Sequence, residues 1–292
     1  SRRMEPVRTL LFVPGHRDRM LEKAPGSGAD GLLYDLEDSV PAGDRETART
    51  MLADALSTDH TMPRYIRVNG IADAGKDETA ADLESVVLPG IDGIVLPKAQ
   101  SADDIFWTSE RIDVLEKDRG IEAESVDIVP MIESALGVQF AYEILNANPR
   151  VTSVIVGSAQ DGDLQTDLGA DWSSEGTELM YSRSRILVAA RAAGIDHPMD
   201  GVFLGLDDED GLIQDSENAR RLGYRGKTVI HPKQIEPVHR VFTPGEKELT
   251  YYRDMIAAFE YAGENAFNFR GKMIDRAMIR KARGLLDRFG GD

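Results

Sequence analysis

The sequence predicts an α/β protein, a (β/α)8 TIM barrel with a C-terminal helical extension, and three observations carry that prediction. Short runs rich in Val, Ile and Leu recur without polar alternation, as in parallel strands covered on both faces. Each run is followed by a polar or glycine-containing loop and then by a stretch of helical period. About eight such units fit within residues 1–242 of the 292, and barrels of this kind commonly use that length as one domain. A doubly wound open sheet is the alternative that strand number alone leaves standing.

Taken in order, the first strand is 9–13, Thr-Leu-Leu-Phe-Val, which ends on a Pro-Gly turn before a helix at 19–24. The segment Pro25-Gly26-Ser27-Gly28 then reads as a helix-to-strand turn, because it precedes the apolar run 31–35 and does not follow one. A helix at 44–56 leads to strand 65–68, a helix at 79–86 to strand 93–96, and a helix at 102–117 to strand 127–131. Helix 136–147, strand 153–156, helix 177–193, strand 201–204, helix 209–222, strand 228–230 and helix 233–241 complete the eight units. At Thr243-Pro244-Gly245 the rhythm breaks; a long helix at 246–261, a glycine-bearing loop at 262–272 and a last helix at 276–288 follow. The predicted domains are therefore a barrel at 1–242 and an extension at 243–292, longer than a barrel needs.

Composition narrows the partners. A formal net charge of −17 argues against nucleic acid and anionic membrane, both of which select basic surfaces. With no cysteine there is no disulfide, thiolate nucleophile or thiolate metal site. The first residues, Ser-Arg-Arg-Met-Glu, show no apolar signal region and no run reaches transmembrane length, so the expected setting is cytoplasmic. Walker, Gly-x-Ser-x-Gly and His-Glu-x-x-His patterns are absent from the sequence.

In an α/β barrel chemistry gathers at the carboxyl ends of the strands. Those ends carry His16 and Arg17, Glu37 and Asp38, Arg67 and Asn69, Lys98, Glu133, Asp161 and Asp163, and His231. Glu133 closes an apolar run, and a desolvated carboxylate there needs a cation or a proton. With an aspartate from the next strand end it suits Mg2+, which keeps open positions for water and substrate; the competing reading is a buried ion pair with Arg67 or Lys98. The fork of Arg67 suits a carboxylate or a developing enolate oxygen. Arg17, Glu37, Asp38 and Lys98 are the further expected substrate contacts, whereas His231 reads as a packed, hydrogen-bonded residue.

Laid out along the chain, these residues fall in stretches that resemble the citrate lyase β-subunit-like lyases of the HpcH/HpaI aldolase superfamily. The stretches are Leu-Leu-Phe-Val-Pro-Gly-His-Arg (10–17), Tyr-Asp-Leu-Glu-Asp-Ser-Val-Pro (34–41), Ile-Arg-Val-Asn-Gly (66–70), Gly-Ile-Val-Leu-Pro-Lys (93–98) and Pro-Met-Ile-Glu-Ser-Ala (130–135). Further on come Glu-Gly-Thr-Glu-Leu-Met-Tyr-Ser-Arg-Ser-Arg (175–185), Lys-Thr-Val-Ile-His-Pro-Lys-Gln-Ile (227–235) and Gly-Lys-Met-Ile-Asp (271–275). The resemblance implies a homotrimer or hexamer that cleaves or forms a carbon–carbon bond between an acyl thioester enolate and a 2-oxo acid. The thioester is malyl-, citramalyl- or citryl-like, carried on coenzyme A or an acyl carrier protein. By matching position it makes Glu133 a Mg2+ ligand, Arg67 the clamp near the oxo acid and enolate oxygen, and Asp275 an acid/base that reaches a neighbouring subunit's site. Where the family usually has Gly-Ala-Glu-Asp, this chain has Gly-Ser-Ala-Gln-Asp-Gly-Asp (157–163). Spacing back from Asp167 selects Asp163 as the second ligand and the Gln-Asp pair selects Asp161. Asp163 is favoured, since lengthening a loop costs less than shifting the helix after it. A thioesterase and a non-catalytic accessory barrel are the competing functions.

Overall fold

In the computed structural model, which describes residues 4–290, eight parallel strands close into a barrel in sequence order. They are β1 (Thr9–Pro14), β2 (Gly31–Asp35), β3 (Arg64–Arg67), β4 (Gly93–Leu96), β5 (Asp127–Ile132), β6 (Ile155–Val156), β7 (Met199–Asp200) and β8 (Gly226–Val229). Closure comes from the pairing of β1 with β8, Leu10 opposite Thr228, which excludes the open sheet. The helices between the strands are α1 (Asp18–Lys23), α2 (Arg45–Leu56), α3 (Ile71–Ala74), α4 (Lys76–Val86), α5 (Ala102–Asp118), α6 (Ala135–Gln139), α7 (Ala141–Leu145), α8 (Asp163–Leu168), α9 (Thr177–Ala192) and α10 (Glu209–Leu222). After β8 comes α11 (Ile235–Phe242). No helix among the described residues is long and apolar enough to cross a membrane.

Alternation along the strands sets the interior. Leu10, Leu33, Tyr65, Val95, Val129, Met131, Ile155 and Met199 share one buried cluster with Met4 and Val7. Side chains two residues apart on a strand face the same way, so the same parity brings Phe12, Asp35, Arg67 and Glu133 to the barrel mouth. The apolar plug therefore gives way, one layer up, to charge.

Several elements differ from the sequence prediction, β7 for a clear physical reason. The seventh strand is Met199–Asp200, not 201–204; Gly201 lies so close to β6 that a Cβ there would sit 2.1 Å from the Val156 carbonyl oxygen. Val202 and Leu204 then turn towards the cavity, so their apolar character reports a pocket wall and not a strand. The expected helix 136–147 is interrupted at Phe140 into α6 and α7.

Because β6 and β7 are two residues each, side chains supplement a short ladder. Lys227 Nζ lies 2.7 Å from Asp200 Oδ2 and 2.5 Å from Asp215 Oδ2, and Arg183 Nη2 bonds the same two carboxylates at 3.0 and 2.8 Å. This network ties β7 and β8 to α9 and α10, with Lys227 and Asp200 fully buried. Ser158 Oγ donates to Asp200 at 3.2 Å, joining the end of β6 to it.

The chain divides into two compact units, Ser1–His239 and Arg240–Asp292, a division inside α11 and three residues before the predicted 242/243 boundary. The second unit contains α12 (Glu246–Tyr261), β9 (Phe267–Phe269), β10 (Lys272–Ile274) and α13 (Arg276–Phe289). Its own core is Met255, Phe259, Ile274, Ile279 and Ala282, edged by Tyr251, Phe267 and Phe269. The loop expected at 262–272 is in part an antiparallel hairpin, turned at Arg270 and Gly271, both with positive φ (49° and 83°) as two-residue hairpins require.

Replacing Lys227 by Met strands two carboxylates beside one guanidinium. Breaking a buried ion pair in this way costs about 3–5 kcal/mol, so thermal unfolding followed by circular dichroism is expected to show a marked fall in Tm.

Candidate active site at the barrel mouth

Asp35 and Arg67 are the paired last residues of β2 and β3. The guanidinium meets the carboxylate in a two-point contact, Nε to Oδ1 at 2.7 Å and Nη2 to Oδ2 at 2.9 Å. Asp35 also accepts from the Glu37 and Ser39 backbone N–H groups at 2.9 and 3.0 Å and from Ser39 Oγ at 2.6 Å. One carboxylate thus orients Arg67 and the loop that carries Glu37 and Asp38. Burial opposes ionisation of both partners, but their mutual attraction outweighs it: Asp35 is held below the usual carboxylate range and Arg67 above its ordinary value. The remaining nitrogen, Nη1, faces Glu37 Oε1 at 3.4 Å and Met131 Sδ at 3.8 Å, and Phe12 stacks on the guanidinium at 4.6 Å.

Glu133 follows β5. Its Oε2 accepts from the Lys98 backbone N–H at 3.0 Å, and it has no ion pair within 4 Å among the described residues. The expected alternative, a buried salt bridge to Arg67 or Lys98, is therefore absent; Arg67 belongs to Asp35. Burial pushes the Glu133 carboxyl up to about 7, opposed by Arg67 and reinforced by the charges of Glu37 and Asp163. Gly157 makes room for it, since a Cβ there would lie 2.4 Å from the Glu133 Cβ.

Lys98, in the left-handed region at φ 52°, reaches Asp73, Glu37 Oε2 at 3.3 Å and Asp163 Oδ2 at 3.6 Å. These carboxylates raise its affinity for the proton although burial works against it. Glu37 is itself raised, by burial first and then by Asp38 and Asp35, and its Oε1 is a buried oxygen without a hydrogen-bond partner.

After β6, Asp163 is the first residue of α8 and lines the cavity. Asp161 is absent from the lining; it adopts φ 56° with its N–H donating to Gln165 Oε1 at 2.6 Å. Asp167 is engaged elsewhere, accepting from the Ala135 N–H at 2.6 Å. Of the other predicted contacts, Asp38 lines the cavity; Glu37 and Lys98 pair with each other outside the lining, and Arg17 is exposed at the N-cap position of α1. His231 is exposed and not packed as expected; its Nδ1 accepts from the Lys233 N–H at 3.1 Å. Asp275 lies in the second unit, where its Oδ1 accepts from the Met278 N–H at 3.0 Å and caps α13.

Asp35, Asp38, Arg67, Glu133 and Asp163 border a cavity of about 400 Å3. Its lining includes the carboxylates of Asp35, Asp38, Glu133 and Asp163 against one guanidinium, Arg67. A surplus of oxygen donors, one of them buried without a basic partner, fits a hard divalent cation. No three metal-competent side chains cluster among the described residues; Glu133 and Asp163 are the lining carboxylates that could hold such an ion, with positions left for water and substrate.

A closed barrel with a carboxylate-rich, cation-competent mouth and an oriented arginine defines the class: an α/β-barrel protein with a polar site at the carboxyl ends of its strands. The chain belongs to the HpcH/HpaI aldolase/citrate lyase family, whose model matches residues 8–232. It is 37% identical over 284 residues to the citrate lyase subunit beta of Leuconostoc mesenteroides subsp. cremoris, spanning 96% of this chain and 92% of that one. It is 36% identical over 287 residues to the (3S)-malyl-CoA thioesterase of Cereibacter sphaeroides, spanning 96% and 94%. The crystal structure of CitE from Mycobacterium tuberculosis in complex with magnesium, acetoacetate and coenzyme A matches with a TM-score of 0.77 at 29% identity, covering 97% of this chain and 98% of that one.

Since the folded Glu133 carboxyl titrates near 7 against an ordinary 4.5, the metal-free protein loses stability as pH rises through that window and keeps the deficit above it. Glu133→Gln removes the effect while the amide oxygen still accepts from Lys98. Metal-free melting curves are expected to show the variant more stable at pH 8, by about 3 kcal/mol, with little difference at pH 4.

Proposed function

We propose that this chain is a Mg2+-dependent carbon–carbon lyase that splits a 3-hydroxyacyl thioester of coenzyme A into an acyl-CoA and a 2-oxo acid. The observation that carries the reading is the mouth itself: Glu133 and Asp163 beside an arginine oriented by Asp35, in a member of an aldolase/lyase family. Glu133 and Asp163 would hold the Mg2+, which would supply Lewis acidity to the oxo-acid half. Arg67, with Nε and Nη2 given to Asp35, offers Nη1 to the thioester enolate oxygen as negative charge develops there. Its orientation is set before substrate arrives, so little reorganisation accompanies the reaction. Lys98 balances Glu37 and Asp163 and steadies the latter. Asp38 borders the substrate on the β2 side, Glu37 stands outside the lining between Arg67 and Lys98, and Arg17 is assigned to the thioester carrier beyond the cavity.

Protonation of the enolate carbon falls to Asp275 of a neighbouring copy in a homotrimer or hexamer. In its own chain that residue is exposed, with one oxygen capping α13. The same groups run the condensation in reverse. Thioester hydrolysis is the second reading, favoured by the identity to a (3S)-malyl-CoA thioesterase; in it water intercepts the same activated thioester.

Product analysis by mass spectrometry separates the two. Incubation of malyl- or citramalyl-CoA with Mg2+ is expected to release a 2-oxo acid and acetyl-CoA; a hydroxy acid with free coenzyme A and no 2-oxo acid would move the assignment to hydrolase. Chelation with EDTA is expected to abolish 2-oxo acid release and added Mg2+ to restore it, whereas full activity in the stripped protein would sink the metal's role. Asp275→Asn retains a capping side chain and is expected to lower kcat on the order of 10²–10⁴-fold without weakening Mg2+ binding. Co-assembly with Glu133→Ala chains is expected to recover activity, and no recovery would place the acid elsewhere.

A further inference from the structure

The cavity has two unlike sides. Its charged groups come from β2, β3, β5 and α8: Asp35, Asp38, Arg67, Glu133 and Asp163. The lining from the ends of β6 and β8 and the loop after β7 is Val156, Val202, Leu204 and Ile230, with Ser158 and Thr228, whose hydroxyls already donate to the Asp200 side chain and carbonyl; Phe12 and Met131 continue it. Arg67 is the one cation among the described lining residues, and two of its nitrogens are already committed to Asp35.

From this asymmetry we infer that the 2-oxo acid half of the substrate is a monocarboxylic acid with a short alkyl substituent, and that Val202 and Leu204 select it. The inference rests on the lyase reading above and names the acid that reading leaves open. A 2-oxo acid held by its carboxylate and oxo group on the charged side presents its third carbon to the apolar wall. A methyl or ethyl group there is buried against Val and Leu side chains, which is favourable. A second carboxylate at the same place loses water without gaining a cation, and it enters a cavity already rich in negative charge. The alternative, a dicarboxylic 2-oxo acid such as oxaloacetate, calls for a basic side chain on that wall, and the described lining has none there. The apolar run 201–204 thus acquires a use in place of the strand that its composition suggests.

Calorimetric titration of the full chain with pyruvate and with oxaloacetate, each in the presence of Mg2+, tests the selection without requiring turnover. Pyruvate is expected to bind at least about tenfold more tightly, because leaving a buried polar group unpaired discriminates strongly. Leu204 is exposed enough to replace without disturbing the core, so Leu204→Arg is expected to shrink that ratio about tenfold with Mg2+ affinity unchanged. Equal or tighter binding of oxaloacetate by the unaltered protein overturns the inference, as does a ratio that Leu204→Arg leaves unmoved. Parallel assays of citramalyl-CoA and citryl-CoA separate this from failure of the lyase reading. Release of 2-oxo acid from both at equal rates sinks the selection alone, whereas release from neither sinks the lyase reading while the binding ratio still judges the pocket.

Discussion

The two-point contact between Asp35 and Arg67 joins the upper ends of β2 and β3 in a place from which water is largely excluded. Taking two charges out of water is costly, and attraction offsets that cost only when geometry is good and the other lone pairs are satisfied. Both conditions hold here, because Asp35 also accepts from the backbone of Glu37 and from Ser39. The pair orients the arginine and shapes the loop that presents Glu37 and Asp38. With Arg67 given to Asp35, Glu133 remains without a basic partner, and Asp163, 3.6 Å from Lys98, is the second lining carboxylate that a divalent ion could share.

Close packing of backbone makes that arrangement fit. Gly157 leaves space for the Glu133 side chain, and Gly201 lets the chain leave β7 against the end of β6. The latter approach ends the seventh strand early and turns Val202 and Leu204 into the cavity. The buried set of Lys227, Asp200, Asp215 and Arg183 then holds the short strands in place and continues through Ser158 to the cavity wall. Stability on one side of the barrel and the shape of the pocket on the same side therefore share one set of charges.

Much of the site was legible because barrel chemistry gathers at strand ends, so Arg67, Lys98, Glu133 and Asp163 could be singled out by position. Asp35 could not: as the closing residue of an apolar strand it looks like the start of a loop, and its meaning lies in being opposite Arg67 in the sheet. Between Asp161 and Asp163, spacing favoured the second, and helix α8, which the sequence reading lacked, carries Asp163 to the cavity lining. Arg17 was attractive as a basic residue after the first strand, yet it caps α1 outside the lining.

Local rules decide what they can reach. Uninterrupted Val, Ile and Leu runs and helical periodicity act over a few residues, and they suffice for an eight-unit barrel, the break near Pro244 and the identity of the charged strand ends. Register between strands, the partner chosen by each buried charge, the early end of β7 and the hairpin at 267–274 depend on groups distant in the chain. Only the register between β2 and β3 brought Asp35 to Arg67 and left Glu133 without a basic partner, because the energy of a buried charge depends on what surrounds it in space.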